Sequence, residues 1–379
     1  MKIQRAYKTQ LNPNNAQITL FKKACGTARF AYNWGLSQRI QQYENTGKSD
    51  NYYSQKKQFN QAKKIDFVWA YEVSKCVGQE ALRNLDKAYA KFFKKTAGFP
   101  KFKSRHNSNQ SFSLYGAIHV ANDTIQLPRI GKVRLWEKGY LPCNTKIIST
   151  TVSLKAERWF VSIQVEEEIE DGNKNTSDVV IGIDFGIKEL AVCSNGMRFE
   201  NPKHLKQKEH RLKRYQRKLA RQIKGSKNRQ KTKNKIATVH YKIACTRKDS
   251  AHKMTTALVK TKPKAIVIET LRVSNMVKNH KLAKSISDCG WNEKARQLRY
   301  KCLWNGIELK EVDTFFPSSK LCSVCGYKNT GLLLSDRQWV CPECQSKHDR
   351  DSNASKNLEL YYMGGLPKFQ ACGQTYHYH

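Results

Sequence analysis

Apolar positions change period several times along this chain, and each change marks an element. Residues 2 to 11, KIQRAYKTQL, alternate loosely as a strand does, and the turn Asn12-Pro13-Asn14-Asn15 closes it. From Ala16 the spacing turns helical. Leu20, Ala24, Thr27, Ala28, Ala31, Trp34 and Leu36 recur at three- and four-residue steps and Tyr71 to Lys95 is a second periodic stretch, so residues 16–97 predict a helical bundle. Gly98-Phe99-Pro100 ends it. Five short runs follow, at 111–115, 124–127, 132–135, 147–154 and 159–165, with turn signals at even spacing. They predict a small β-barrel that the opening strand could join, making the helices an insertion.

The strand-like stretch at the centre is Val179 to Asn195, VVIGIDFGIKELAVCSN. β-Branched Val179, Val180, Ile181 and Ile183 lead to a reversal at Gly186, and Leu190-Ala191-Val192 resumes the apolar pattern. Asp184 sits in its middle, where a charge is costly unless it is paired or binds a metal. Two readings of it stay open on this stretch alone: a turn-starting residue whose carboxylate caps the backbone of Gly186, or a metal ligand at the centre of a sheet. Next, Leu205, Leu212, Tyr215, Leu219 and Ile223 mark one helical seam and Ile236, Val239 and Ile243 another beyond Gly225, predicting a helical hairpin over 203–260. Ala265-Ile266-Val267-Ile268-Glu269 is an apolar run ending in a carboxylate. Leu271 to Lys301 is helical again around a loop at 280–287, and Ile307 to Val312 alternates as a strand.

Charge changes the picture. The chain has 379 residues, enough for two or three domains, with Lys+Arg 69 against Asp+Glu 31 and a formal charge of +38. A compact body with that excess repels itself unless a polyanion neutralises it, so nucleic acid is the expected partner rather than an anionic membrane. Between Lys203 and Lys253 stand 19 Lys and Arg, with Glu209 and Asp249 as the acids. That is too few acids for i,i+4 pairing to stabilise a solvated face, and Arg211, Arg214 and Arg217 here are candidate nucleic-acid contacts. No apolar run approaches the ~18 residues of a membrane span, and residues 1–5 lead into no signal-peptide segment. A soluble, cytoplasmic protein with no membrane partner is expected. Eight of the 12 cysteines are scattered singly, like reduced cytosolic thiols.

The other four form two knuckles, CSVC at Cys322 and Cys325 and CPEC at Cys341 and Cys344, separated by about fifteen residues. This is the spacing of a tetrahedral four-thiolate zinc site. Closure by four ligands makes its role structural, whereas a redox pair would need one CxxC beside a helix. Just beyond, HDRDSNASKNL carries Asp351, which could simply cap a helix starting near Ser352. Yet Asp351 is the third carboxylate of its kind, after Asp184 within an opening strand and Glu269 at the end of a later one. A strand meander, then helices, a strand and a helix is the order of an RNase H-like domain. There, three acids from separate elements can hold two Mg²⁺ or Mn²⁺ ions, one activating water and the other stabilising the leaving oxygen of a phosphodiester.

The segments GIDFGIKELA, IVIETL, SISDCGWNEKARQLRYK, FFPSSKLCSVCG and CPECQSKHDRDSNASKNL resemble the transposon-encoded TnpB proteins, relatives of the type V CRISPR effectors. LNPNNAQ, ARFAYNWGL and GFPKFKS extend the likeness over nearly the whole chain, to about Leu360. The resemblance implies an RNA-guided DNA endonuclease with a RuvC nuclease domain, whose Asp-Glu-Asp set falls on Asp184, Glu269 and Asp351. Of the two aspartates in HDRD, the family motif favours Asp351, two residues before Asn353. The implied fold is multidomain α+β: residues 1–15 the first strand of a wedge β-barrel, 16–104 a helical recognition lobe inserted in it, 105–170 the remainder of the barrel and 171–177 a linker. Residues 178–318 and 348–362 are then two parts of an RNase H-like (RuvC) α/β nuclease domain, with a zinc ribbon inserted at 319–347 and a disordered tail at 363–379. Lys75 and Gln79, one turn apart on a helix face, are implied to read a short target-adjacent motif at base edges in the major groove, with Tyr52 or Tyr53 as further candidates. Two departures stand out: Thr270 follows Glu269 where many relatives carry an acid, and the stretch after Leu360 has no counterpart.

The expected activity is thus Mg²⁺-dependent DNA hydrolysis in a prokaryotic cell. A guide RNA from the transposable element, held by one protein copy, pairs with target double-stranded DNA beside the short motif, and one RuvC site cuts both strands in turn. An RNA-guided DNA-binding regulator without cleavage is the alternative, against which the intact acids count. A strand-joining transposase would act without RNA.

Overall fold

The computed structural model describes residues 2–105, 110–143, 145–168, 177–333 and 335–365. Most of the expected linker (171–176) and of the expected tail (366–379) lies outside them. The chain divides into two compact units, 1–169 and 170–379. No described helix is long and apolar enough to cross a membrane.

In the first unit, strand β1 (Lys2–Asn12) runs into helix α1 (Asn15–Thr46), started by a capping box between Asn14 and Gln17. Helix α2 (Tyr52–Ile65), a 3₁₀ turn at Val68–Glu72 and helix α3 (Lys75–Phe93) follow. Then come β2 (Ser111–Leu114), β3 (His119–Val120), β4 (Thr124–Leu127), β5 (Gly131–Leu135), β6 (Ile147–Lys155) and β7 (Arg158–Glu168). These strands form one seven-stranded sheet in the order β2-β6-β7-β1-β5-β4-β3. The opening strand is central, antiparallel to β7 along Lys2–Gln10 and to β5 at Leu11 and Asn12. The closed barrel expected from the even spacing does not form among the described residues. The edges are strands of four and two residues, too short to supply a closing ladder, and helices cover an apolar face instead: Phe21, Ala24 and Val77 pack with Phe112, Val161 and Ile163. A second core, with Ala31, Leu36, Phe59, Leu82 and Leu85, joins the three helices to one another.

The second unit opens on a meander, β8 (Val180–Asp184), β9 (Glu189–Cys193) and β10 (Arg198–Glu200). Helices α4 (His204–Ala220) and α5 (Lys227–Lys260) form the basic hairpin, seamed by Leu212, Val239 and Ile243. Ile223, expected in that seam, is 81% exposed, because α4 ends at Ala220 and leaves it in the turn. Next are β11 (Ala265–Glu269), α6 (Val273–Met276), α7 (Ala283–Cys289), α8 (Trp291–Trp304) and β12 (Glu308–Val312). The loop expected at 280–287 is shorter than that, since α7 already begins at Ala283. A ribbon of β13 (Gln338–Val340) and β14 (Lys347–Asp349) leads into α9 (Arg350–Met363). The main sheet has the order β10-β9-β8-β11-β12, with β8, β11 and β12 parallel and the meander antiparallel. One face packs on α5 and α8 through Met254, Leu258 and Leu298, and the other on α9 through Leu358.

Candidate functional site

Strand parity puts two of the three carboxylates on one side of this sheet. Val180, Gly182 and Asp184 alternate with Ile181 and Ile183, and Ala265, Val267 and Glu269 alternate with Ile266 and Ile268. Val180, Ala265 and Val267 share a core with Leu358 of α9, while the four isoleucines pack on the opposite face. The register pairs Ile183 with Ile268, so Asp184 and Glu269 end neighbouring parallel strands side by side.

The third carboxylate arrives on α9. Asp351, Ser355 and Leu358 lie at i, i+4 and i+7, one face of a helix. That face comes so close to β8 that a Cβ on Gly182 would fall 2.0 Å from the Ser355 carbonyl oxygen and 2.7 Å from the Glu359 nitrogen. One turn before Ser355, Asp351 thereby reaches Asp184 closely enough for the two charges to interact. The helix starts at Arg350, earlier than the sequence suggested, and its N-cap is Asp349, which accepts from the Ser352 backbone N–H at 3.0 Å and from Ser352 Oγ at 2.8 Å. The capping role weighed for Asp351 therefore belongs to its neighbour. Nor is Gly186 capped by Asp184 among the described residues; that glycine turns tightly against Glu189, whose carbonyl oxygen lies 2.7 Å from where a Cβ would stand.

Burial, then the carboxylates of Glu269 and Asp351, push the Asp184 pKa well above the ordinary range, with Arg350 and Arg337 opposing them. Burial also raises Glu269, against a hydrogen bond donated by Ser318 Oγ to its Oε1. Asp351 is 20% exposed, with Arg337 Nη1 3.4 Å from its Oδ1. The two arginines only partly offset burial and the two like neighbours, and a divalent cation with hard oxygen ligands would supply further compensating charge. The three acids do not gather around a single point: among the described residues, the group of ligand atoms drawn within reach of one ion is the cysteine set.

The four cysteine Sγ atoms lie within 4.8 Å of one another. Cys322 and Cys344 are 3.6 Å apart, as are Cys325 and Cys341. Those spacings exceed the ~2.05 Å of a disulfide and lie near the ~3.8 Å edge of a tetrahedron with Zn–S bonds of about 2.3 Å. The donor set fits zinc. Asparagines of α9 bind the segment that leads into the first knuckle: Asn353 Nδ2 donates to the Leu321 carbonyl at 2.5 Å, and Asn357 Nδ2 to the Ser318 and Leu321 carbonyls at 2.7 Å. Gly182, Ser318, Arg337 and these asparagines are site residues that sequence reasoning missed. Parity with Asp184 could have flagged Gly182; no spacing rule points to Ser318, which is 49 positions from Glu269.

The candidate DNA readers divide. Lys75 is exposed, while Gln79 is 5% exposed and its Oε1 accepts a hydrogen bond from the Tyr115 hydroxyl. Tyr52 is buried and Tyr53 is 77% exposed. Arg211, Arg214 and Arg217 are all exposed on α4, the first two flanking the Tyr215 ring at 5.6 and 5.5 Å. A cleft of about 440 Å³ between α4 and α5 is lined by Lys208, Arg211, Tyr215, Lys235 and Lys242 among others.

Residues 161–280 match the family model OrfB_IS605, described as a probable transposase, residues 291–358 match the Cas12f1-like TNB domain, and residues 1–48 match the OrfB_IS605 helix-turn-helix domain. Here that last span holds β1 and α1. The chain is 37% identical over 377 residues to a Streptomyces pristinaespiralis protein named "Putative RNA-guided DNA endonuclease", covering 98% of this chain and 91% of that protein. It is 32% identical over 376 residues to "Putative RNA-guided DNA endonuclease InsQ" of Escherichia coli (strain K12), covering 94% of this chain and 92% of that one. Its fold is similar to Cas12f1 in a cryo-EM structure of the Cas12f1-sgRNA-target DNA complex, with a TM-score of 0.58 at 15% identity over 94% of this chain and 99% of that chain.

Proposed function

The chain belongs to the OrfB_IS605 family of transposon-encoded, TnpB-like proteins, and on that premise we propose that it is an RNA-guided DNA endonuclease whose hydrolytic centre is Asp184, Glu269 and Asp351. One observation carries the assignment: a half-buried, charge-repelled Asp184 at a strand end, with Glu269 on the adjoining strand and Asp351 on the helix that closes over Gly182. The sheet order, with the first strand between the second and the fourth, supports an RNase H-like (RuvC) domain made of residues 178–318 and 348–362 around a zinc ribbon at 319–347. Residues 16–104 would then be a recognition lobe set into a wedge formed by 1–15 and 105–170.

In this reading the basic faces of α4 and α5 hold the guide RNA and the heteroduplex through phosphate contacts, while base pairing carries sequence specificity. Lys75 and Tyr53, the exposed members of the candidate set, would contact the target-adjacent DNA. The three carboxylates would hold two Mg²⁺ or Mn²⁺ ions, which supply activation of water and stabilisation of the leaving oxygen. Ser318 fixes the direction of the Glu269 carboxylate, and Arg337 balances Asp351.

The test is to purify the protein with its co-expressed RNA, sequence that RNA, and present double-stranded targets flanked by a randomised motif in Mg²⁺. Guide-dependent cutting of both strands by the natural protein, lost in Asp184→Ala with RNA and DNA binding retained, is expected. Unchanged cutting by that variant would eliminate the assigned centre, and guided binding without any cutting would favour a regulator.

A further inference from the structure

The cysteine site is joined to the start of α9 by a side chain that neither the nuclease reading nor the zinc reading uses. His348 lies in β14, is 9% exposed, and places its Nε2 3.1 Å from Cys322 Sγ. Its cross-strand partner is Trp339, whose ring lies 4.7 Å away at 37° and fixes the imidazole plane. The next residue, Asp349, pairs with Gln338 and caps α9, and Asp351 follows in the first turn.

Four thiolates around one Zn²⁺ leave a net charge of about −2 on the cluster, which stabilises any N–H donor aimed at a sulfur. Four thiolates would complete a zinc tetrahedron, so an imidazole at this distance from a sulfur would act as a donor to it rather than as a fifth ligand. We propose that His348 is a positioning residue whose Nε2–H donates to the Cys322 thiolate, locking the metal module to the strand that starts the Asp351 helix. The inference rests on zinc at the four cysteines and on no part of the nuclease assignment.

The experiment uses the full chain with Co²⁺ in place of zinc, as the natural protein, as His348→Gln, which retains an N–H, and as His348→Leu, which does not. In His348→Leu the sulfur-to-cobalt charge-transfer bands should shift, and metal release to a chromophoric chelator should quicken by about tenfold or more. Hydrogen exchange at the first-turn amides of α9 should rise with it, and His348→Gln should restore all three. The ring ¹⁵N shifts of His348 in the zinc-loaded natural protein should show the Nε2–H tautomer, which decides the matter even where His348→Leu does not fold. Bands and release rates unchanged in His348→Leu, or an Nδ1–H tautomer, overturn the proposal. A spectrum of three sulfurs and one nitrogen also overturns it, making His348 a ligand. Failure of Co²⁺ to bind removes the zinc reading and this inference together, while leaving the carboxylate centre to its own test.

Discussion

Gly182 and Ser355 meet with no room for a side chain between them: a Cβ on the glycine would stand 2.0 Å from the serine carbonyl oxygen. The obstacle is helix backbone rather than the mobile end of a side chain, so α9 as a whole would have to move to make way. Because Asp351 rides one turn from Ser355 and Asp184 lies two residues from Gly182 on the same strand face, this contact sets the separation of the two acids.

Gly182→Ala should therefore act on both stability and activity. Overpacking against backbone predicts a loss of about 1–3 kcal/mol, read as a lower midpoint in thermal unfolding. Cleavage should fall at least about tenfold through misplacement of Asp351, while RNA binding is retained. Full activity in this variant would separate Asp351 from the chemistry.

Asp184→Asn keeps the shape and removes the charge. Guided DNA cleavage should drop by at least about a thousandfold, with gel-shift affinities for RNA and target DNA unchanged.

The same substitution should stabilise the chain when no divalent ion is present. The Asp184 pKa is raised in the folded state by burial and by its two acidic neighbours, so the folded chain binds more protons than the unfolded one between the ordinary carboxylate value near 4 and the raised value. Stability therefore falls as pH rises through that window and levels off above it. In chelator, Asp184→Asn should flatten this decline and unfold at a higher temperature than the natural protein at neutral pH. Mn²⁺ should stabilise the natural protein, by about 2.7 kcal/mol at a hundredfold excess over its Kd, and should have little effect on the variant.

Zinc content gives an independent check on the cysteine site. Elemental analysis should find one zinc per chain, and Cys341→Ser should lose it. The module between the knuckles should then become protease-sensitive, since binding and folding are coupled in small zinc sites.

Neutralising α4 should weaken nucleic-acid binding in a salt-dependent way. Each of Arg211→Ala, Arg214→Ala and Arg217→Ala should reduce the slope of log K against log salt by about 0.7–0.9 where the arginine meets a phosphate, with no change in target choice. An altered slope for Arg217 alone would place the nucleic acid away from the Tyr215 cleft.

Local spacing made much of this protein legible. Apolar, largely β-branched runs at Val180–Asp184 and Ala265–Glu269 mark strands, the two CxxC pairs mark a metal site, and the charge of 203–253 marks a polyanion partner, because in each case the information lies within a few residues of itself. The motifs also carried the family resemblance, which relatives 37% and 32% identical bear out. Where the reading failed, a distant partner had intervened. The run of short strands suggests a barrel but forms an open sheet with helices on one face.

What the amino-acid order determined by itself, then, is which residues bear charge, thiol or apolar surface and with what period. Tertiary structure alone decided which aspartate of HDRD caps α9, that Ser318 reaches Glu269 across 49 positions, and that a missing side chain at Gly182 lets Asp351 approach Asp184. The reason is physical: hydrogen-bond partners and close backbone approach are properties of packed surfaces, and a chain specifies them only after its separate periodic elements have been pressed together.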